Sequence, residues 1–217
     1  IGRYGWKANS ASLVHQTAAA FLGDMGITSS LFPDENCSPA QTACRKAPHG
    51  GQPELDDRTL ADVVFYQATL APPARRQPDD AQVRRGQQLF QQAQCAVCHR
   101  PSYRTGKTPF PHLASKALEQ QTIWPYTDLL LHDMGEALAD HRPDGLAGGR
   151  QWKTPPLWGI GLLKTVNGHT RLMHDGRADG VLEAVLWHGG EAAASQRKVL
   201  GMTKAERDAL VRFVESL

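Results

Sequence analysis

Along the chain, hydrophobic residues recur in short stripes at helical spacing, separated by stretches rich in proline, glycine and small polar residues. Val14, Thr17, Ala18 and Phe21 form the first stripe, and Gly23 and Gly26 predict its end. Residues 31–55 carry the composition of a loop. Asp56 and Asp57 then lead a stripe of Leu60, Val63, Val64 and Ala68, acidic at the positive end of the helix it predicts. Ala71-Pro72-Pro73 stops that helix, and the polar stretch to Asp80 reads as a linker. Val83, Gly86, Phe90 and Ala93 make a third stripe. Pro101, Gly106, Pro109 and Pro111 then mark loop. Thr127, as a cap, opens a predicted helix with Leu131, Met134 and Leu138 on one face, and Gly145 to Gly149 break it. The final stripe, Leu210, Phe213, Val214 and Leu217, follows a capping box at Thr203-Lys204-Ala205-Glu206. The expected fold class is all-α.

Directly after the third stripe stands Cys95-Ala96-Val97-Cys98-His99. Two cysteines two residues apart and then histidine read as a c-type haem attachment site. Both thiols can form thioethers to the porphyrin vinyl groups, and the next residue supplies an imidazole to the iron. The rivals are a thioredoxin-like pair, which wants a preceding strand where Val83 to Gln94 reads as helix, and half of a zinc site, which wants a further Cys or His pair that does not follow at finger spacing. Gly86 would let a second helix approach closely, with an aromatic such as Phe213 packed there. First and last helices crossing beside such a motif resemble the cytochrome c fold. In that fold a proline carbonyl shortly after the motif commonly accepts the proximal His Nδ1–H, a role the resemblance implies for Pro109 or Pro111; the alternative is a plain turn proline.

Length and charge narrow the setting. The 217 residues suit one or two domains, and 41% hydrophobic with 21% charged residues is ordinary for a globular chain. A net charge of +2 argues neither for nor against a nucleic-acid surface, and no apolar run is long enough to cross a bilayer. The chain begins with Ile1 and shows no secretory signal, which predicts a processed chain or a fragment. Covalent haem attachment is carried out outside the bacterial cytoplasm, where disulfides also persist, so an exported, periplasmic protein is expected. Cys37 and Cys44 enclose a short loop and predict a disulfide worth about 2–3 kcal/mol; the alternative is metal binding with His49.

Gly2-Arg3-Tyr4-Gly5-Trp6-Lys7 echoes Gly149-Arg150-Gln151-Trp152-Lys153, and each precedes an acid-capped helix. This predicts that residues 1–77 are the back half of an upstream haem domain, ahead of a haem domain at 78–217. Trp152-Lys153-Thr154-Pro155-Pro156-Leu157-Trp158 and Leu172-Met173-His174-Asp175-Gly176-Arg177 form the second informative region. A haem that shuttles electrons needs a sixth ligand. Met173 sits in a polar-bounded loop where core packing explains it poorly. His174, next door, is the rival, and an open site is the remaining alternative. Met134, on its leucine stripe, reads as core, and Met25 and Met202 lie outside the segment expected to cover the distal side. His15, His49, His112, His132, His141, His169 and His188 read as surface or hydrogen-bonding residues.

These runs, with Glu183-Ala184-Val185-Leu186-Trp187-His188-Gly189-Gly190-Glu191, the Gly2-to-Lys7 opening and Asp24-Met25-Gly26, resemble the thiol oxidoreductase-like dihaem oxidoreductases, relatives of bacterial dihaem cytochrome c peroxidases and MauG-type enzymes. The resemblance implies a cytochrome c-like domain with one covalent haem c on Cys95 and Cys98, and His99 and Met173 as iron ligands, preceded by a helical remnant of an upstream cytochrome c-like domain. It implies electron transfer, with a redox partner protein or a second haem domain as partner. In the relatives the N-terminal haem is peroxidatic and a tryptophan lies between haems; here the N-terminal CxxCH is absent, and Trp6, Trp124, Trp152, Trp158 and Trp187 are all candidates. Calcium between domains stays open. The alternative function is a peroxidase-type oxidoreductase with an open or labile sixth site, for which His174, Glu183 and Glu191 are the acid–base candidates. Arg84, Arg85 and Arg177 could pair with haem propionates or an acidic partner.

Overall fold

Asp80 caps helix α3 (Ala81–Gln92), its carboxylate accepting from the Gln82 and Val83 N–H groups. Helix α7 (Lys204–Ser216) starts with the expected capping box between Thr203 and Glu206. The two cross at Gly86. A Cβ built there would sit 2.6 Å from the Cβ of Phe213 and closer still to the Ala209 carbonyl, so only a residue without a side chain allows the approach. Phe213, fully buried, then meets Phe90 and Tyr126 edge-on, at centroid distances of 5.3 and 5.7 Å. Val83, Leu89, Leu210 and Val214 complete the centre of this core.

The computed structural model describes residues 2–108, 111 and 114–217. Among them are seven α-helices and three two-stranded antiparallel sheets. The chain is mostly helical, but the small sheets depart from the all-α expectation. No described helix is long and apolar enough to cross a membrane. The contacts divide into two units, Ile1–Gly5, Ser10–Leu70 and Thr105–Gln121 in one, Trp6–Asn9, Ala71–Arg104 and Thr122–Leu217 in the other.

The first unit is built on α1 (Leu13–Met25) and α2 (Asp57–Thr69). Gly23 lies inside α1, and Gly26 alone ends it, at φ 67°. Ala18, Leu55, Leu60 and Val64 form the core, and the Thr17 hydroxyl donates to the Gln67 side chain at 2.8 Å. The Glu54 carboxylate accepts from the N–H groups of Thr28 and Gly50 and orders the intervening loop; these bonds hold its pKa below the usual carboxylate value. Cys37 and Cys44 form the expected disulfide, with Cα atoms 5.9 Å apart.

In the second unit, residues 71–80 are bound rather than free. The Arg76 N–H donates to the Ser216 carbonyl at 2.7 Å, and Arg212 pairs with Asp80 at 3.0 Å. The helix expected after Thr127 does not form. Its Oγ1 donates to the Thr154 carbonyl and accepts from the Leu129 N–H, so it caps a turn. Leu131–Asp133 is a strand (β3) paired with Gln151–Lys153 (β4), once β1 (Tyr103–Arg104) and β2 (Thr122–Ile123) have paired. Leu138 belongs to a short 3-10 turn, Glu136–Leu138. A partner strand thus satisfied backbone groups that the apolar spacing assigned to a helix. Beyond come α4 (Leu163–Asn167), the hairpin β5 (Arg171–Leu172) with β6 (Ala178–Asp179), α5 (Val181–Trp187) and α6 (Ala193–Leu200).

Gly86→Ala is expected to destabilise the protein by about 2–3 kcal/mol through overpacking, read by chemical denaturation; an unchanged midpoint would show that the helices can part without cost.

Candidate functional site

After α3, Gln94 turns left-handed at φ 64°, and Cys95–Val97 forms a 3-10 turn. The His99 N–H donates to the Cys95 carbonyl at 2.9 Å, which places the imidazole one turn beyond the first thiol. The His99 Nδ1 lies 3.0 Å from the carbonyl of Tyr126. A carbonyl only accepts, so Nδ1 carries the proton and Nε2 keeps its lone pair. Burial pushes the His99 pKa down to about 4, opposed by that carbonyl. The ring is a neutral imidazole, the form a metal requires. Tyr126, and not Pro111, offers the carbonyl among the described residues; Pro109, with His112, lies outside them.

Cys95, Cys98 and His99 line a cavity of about 700 Å³, mainly apolar, within the range of cofactor sites at roughly 300–1,000 Å³. Neither cysteine is in a disulfide. Burial raises the Cys95 thiol to about 11, and burial with the Asp128 and Glu191 carboxylates raises Cys98. Met173 lines the same cavity. It opens the turn between β5 and β6 with φ 69°, a left-handed conformation uncommon for a residue without a glycine or asparagine side chain. Arg177 braces the turn, pairing with Asp175 at 2.6 Å and lying over the Trp187 ring at 4.8 Å. A volume of this size, two free thiols, a neutral imidazole and a thioether fit a covalently held haem.

His174 also lines the cavity, but its ring stacks on Trp152, with centroids 3.6 Å apart and planes at 11°. Behind Trp152 lies Lys7, its ammonium 4.4 Å from the ring centroid. Lys7 is only 5% exposed and donates to Asp140, to the Arg142 carbonyl and to the Gly148 carbonyl at 2.7, 2.7 and 3.1 Å. The echoing segments are neighbours, since the Lys153 N–H donates to the Trp6 carbonyl at 2.9 Å.

Several other residues singled out in the sequence fall around this cavity or close to it. Met134 lines the cavity rather than a helical stripe. His188 lines it as well, 6.4 Å from His99 between centroids, with Nδ1 against the Ala184 carbonyl at 2.7 Å; burial lowers its pKa. His132 is held at both nitrogens, by Asp128 and Glu191, each at 2.8 Å. Its ring, the Asp128 carboxylate and the Cys98 sulfur place ligand atoms within 4.8 Å of one another. Burial, with the Asp128 carboxylate of this trio and the nearby Glu191, disfavours the Cys98 thiolate a metal would need. Glu183 accepts from the Asp179 N–H, Arg84 faces Asp79 at 3.6 Å, and Arg85 pairs with Glu206 at 2.9 Å. Of the tryptophans, Trp6, Trp152 and Trp158 line the cavity; Trp158 also lines a second hollow of about 450 Å³ with Trp124, which is 60% exposed.

A family model described as di-haem oxidoreductase, putative peroxidase, matches residues 1–217. No curated protein and no solved structure matches the chain.

Lys7→Met would remove the ammonium donor shared by Asp140 and the Arg142 and Gly148 carbonyls. It is expected to cost about 2–4 kcal/mol in chemical denaturation, whereas Lys204→Ala, which breaks an exposed pair with Asp208, should change stability by less than about 0.5 kcal/mol.

Proposed function

We propose, from the chain's membership of the di-haem oxidoreductase family, that residues 78–217 are a cytochrome c-like domain for electron transfer. Cys95 and Cys98 hold one haem c by thioethers, and His99 and Met173 are its axial ligands. The bound haem supplies a one-electron couple. What the protein adds is the fixed tautomer of His99, an apolar wall that excludes water, and a thioether that favours the reduced form. The single observation that carries the reading is Met173, held in a left-handed turn on the same cavity as the CxxCH residues. Strain of this kind persists where the surroundings over-determine it, and it clusters at functional sites.

Residues 1–77 are proposed as the back half of an upstream haem domain, and the second haem domain or a redox protein as the partner. Helix α2 supports this. Like α7 it has a side-chain N-cap and spans 13 residues, yet Tyr66 and the C-cap Leu70 are 64% and 57% exposed, whereas Phe213 of α7 and its C-cap Leu217 are buried. Export to the periplasm goes with the covalent attachment and with the Cys37–Cys44 disulfide.

The second reading, peroxide chemistry at a labile sixth site, is favoured by His132, clamped by two carboxylates beside the cavity. Such a group could hold or move a proton. Steady peroxide turnover by residues 1–217 would select it.

Ferric protein is expected to show the far-red sulfur-to-iron band. Met173→Ala should abolish it and open the iron to cyanide or azide. A band that survives in the variant moves the sixth ligand elsewhere.

A further inference from the structure

Three side chains with full charges line the cavity: Lys153, Arg171 and Glu191. Glu191 is already committed, accepting from the Asp133 N–H at 2.9 Å and pairing with His132. Lys153 and Arg171 are not. Among the described residues no carboxylate, carbonyl or hydroxyl takes a bond from either side chain, although the backbone N–H of each is bonded. A repeat counterpart of the one and a hairpin neighbour of the other show the contrast. Lys7, the counterpart of Lys153 in the repeated Trp-Lys segment, has three acceptors and a buried ion pair. Arg177, on the same hairpin as Arg171, is tied to Asp175. The arginines first expected to meet propionates, Arg84, Arg85 and Arg177, all face carboxylates of this chain.

Two unpaired cations in a mainly apolar cavity are a charge excess that folding alone leaves unbalanced. A half-buried ammonium without a partner is costly, because burial disfavours its charge and nothing returns the lost hydration. The direction of the Lys153 pKa agrees: it is lowered, by burial. The balance is restored by an occupant that brings two anionic groups with lone pairs to receive N–H donors.

We infer that Lys153 and Arg171 are the carboxylate clamp of this cavity, taking the two propionates of the haem. The inference rests on the haem reading above and deepens it. Lys153, on strand β4 and half-buried, neutralises one carboxylate inside the cavity. Arg171, on strand β5 and exposed, takes the other at its mouth, where its planar fork suits a bidentate pair. Because Arg171 lies two residues before Met173, the clamp ties the occupant's edge to the turn that presents the thioether. Two sources of carboxylate are conceivable, the haem itself and a small carboxylate from solution, and the test separates them.

The holoprotein is prepared as wild type, Lys153→Met, Lys153→Arg, Arg171→Gln and the Lys153→Met/Arg171→Gln double variant. Covalent haem content, from intact mass, tests the underlying reading by itself: wild type without attached haem would sink that reading and not the clamp specifically. With haem attached, reduction potentials are measured by spectroelectrochemistry. An uncompensated propionate favours the ferric form, so Lys153→Met is expected to shift the reduction equilibrium toward ferric by about tenfold, ~59 mV for a one-electron couple. Arg171→Gln should shift it less, since its site is exposed and screened. Lys153→Arg should restore the wild-type value. Potentials equal to wild type in both single variants and the double variant, with haem content intact, would overturn the inference. So would a potential or ferric spectrum of the wild type that responds to added acetate and loses that response in Lys153→Met, because the lysine would then be serving a carboxylate from solution.

Discussion

A missing side chain at position 86 governs the second unit. Because Gly86 lets α7 come within contact of α3, Phe213 reaches the space between Phe90 and Tyr126 and is buried there. Tyr126, wedged by that ring, presents its carbonyl to Nδ1 of His99 at 3.0 Å. A contact between helices far apart in sequence thus fixes the tautomer of an imidazole in the CxxCH motif. Packing, ring orientation and ligand chemistry form one continuous sequence of causes, and each step is a matter of an ångström or less.

The cavity that results is tuned by what surrounds its polar groups more than by their identity. His99 is neutral because it is buried against a carbonyl and not a carboxylate. The thiols of Cys95 and Cys98 are held protonated by burial and, for Cys98, by nearby acids, which works against a metal–thiolate site. Lys7 spends its charge on Asp140 and two carbonyls, so that it stiffens Trp152 and, through it, His174. Lys153 keeps its charge for the cavity. The repeated Trp-Lys pair therefore does two jobs, one structural and one directed at the occupant, and the difference lies entirely in the acceptors within reach.

Met173 and His174 show the same division between neighbours. The left-handed backbone at Met173 swings consecutive side chains to different surroundings. Both side chains line the cavity, but the imidazole lies flat on an indole, where stacking occupies it.

The sequence alone already discloses helices α1, α2, α3 and α7, the close approach at Gly86, the disulfide and the CxxCH motif. These features depend on local spacing, capping residues and motif order, all of which are properties of a few consecutive positions. The strand pairing of Leu131–Asp133 with Gln151–Lys153, the Tyr126 carbonyl behind His99, the clamping of His132 and the different fates of Arg84, Arg85 and Lys153 were decided only in three dimensions. Each depends on which distant group arrives to satisfy a donor or an acceptor, and hydrophobic period carries no information about that. Leu131, Met134 and Leu138 matched a helix as well as they matched a strand and a turn; a partner strand, which no local pattern announces, settled the matter.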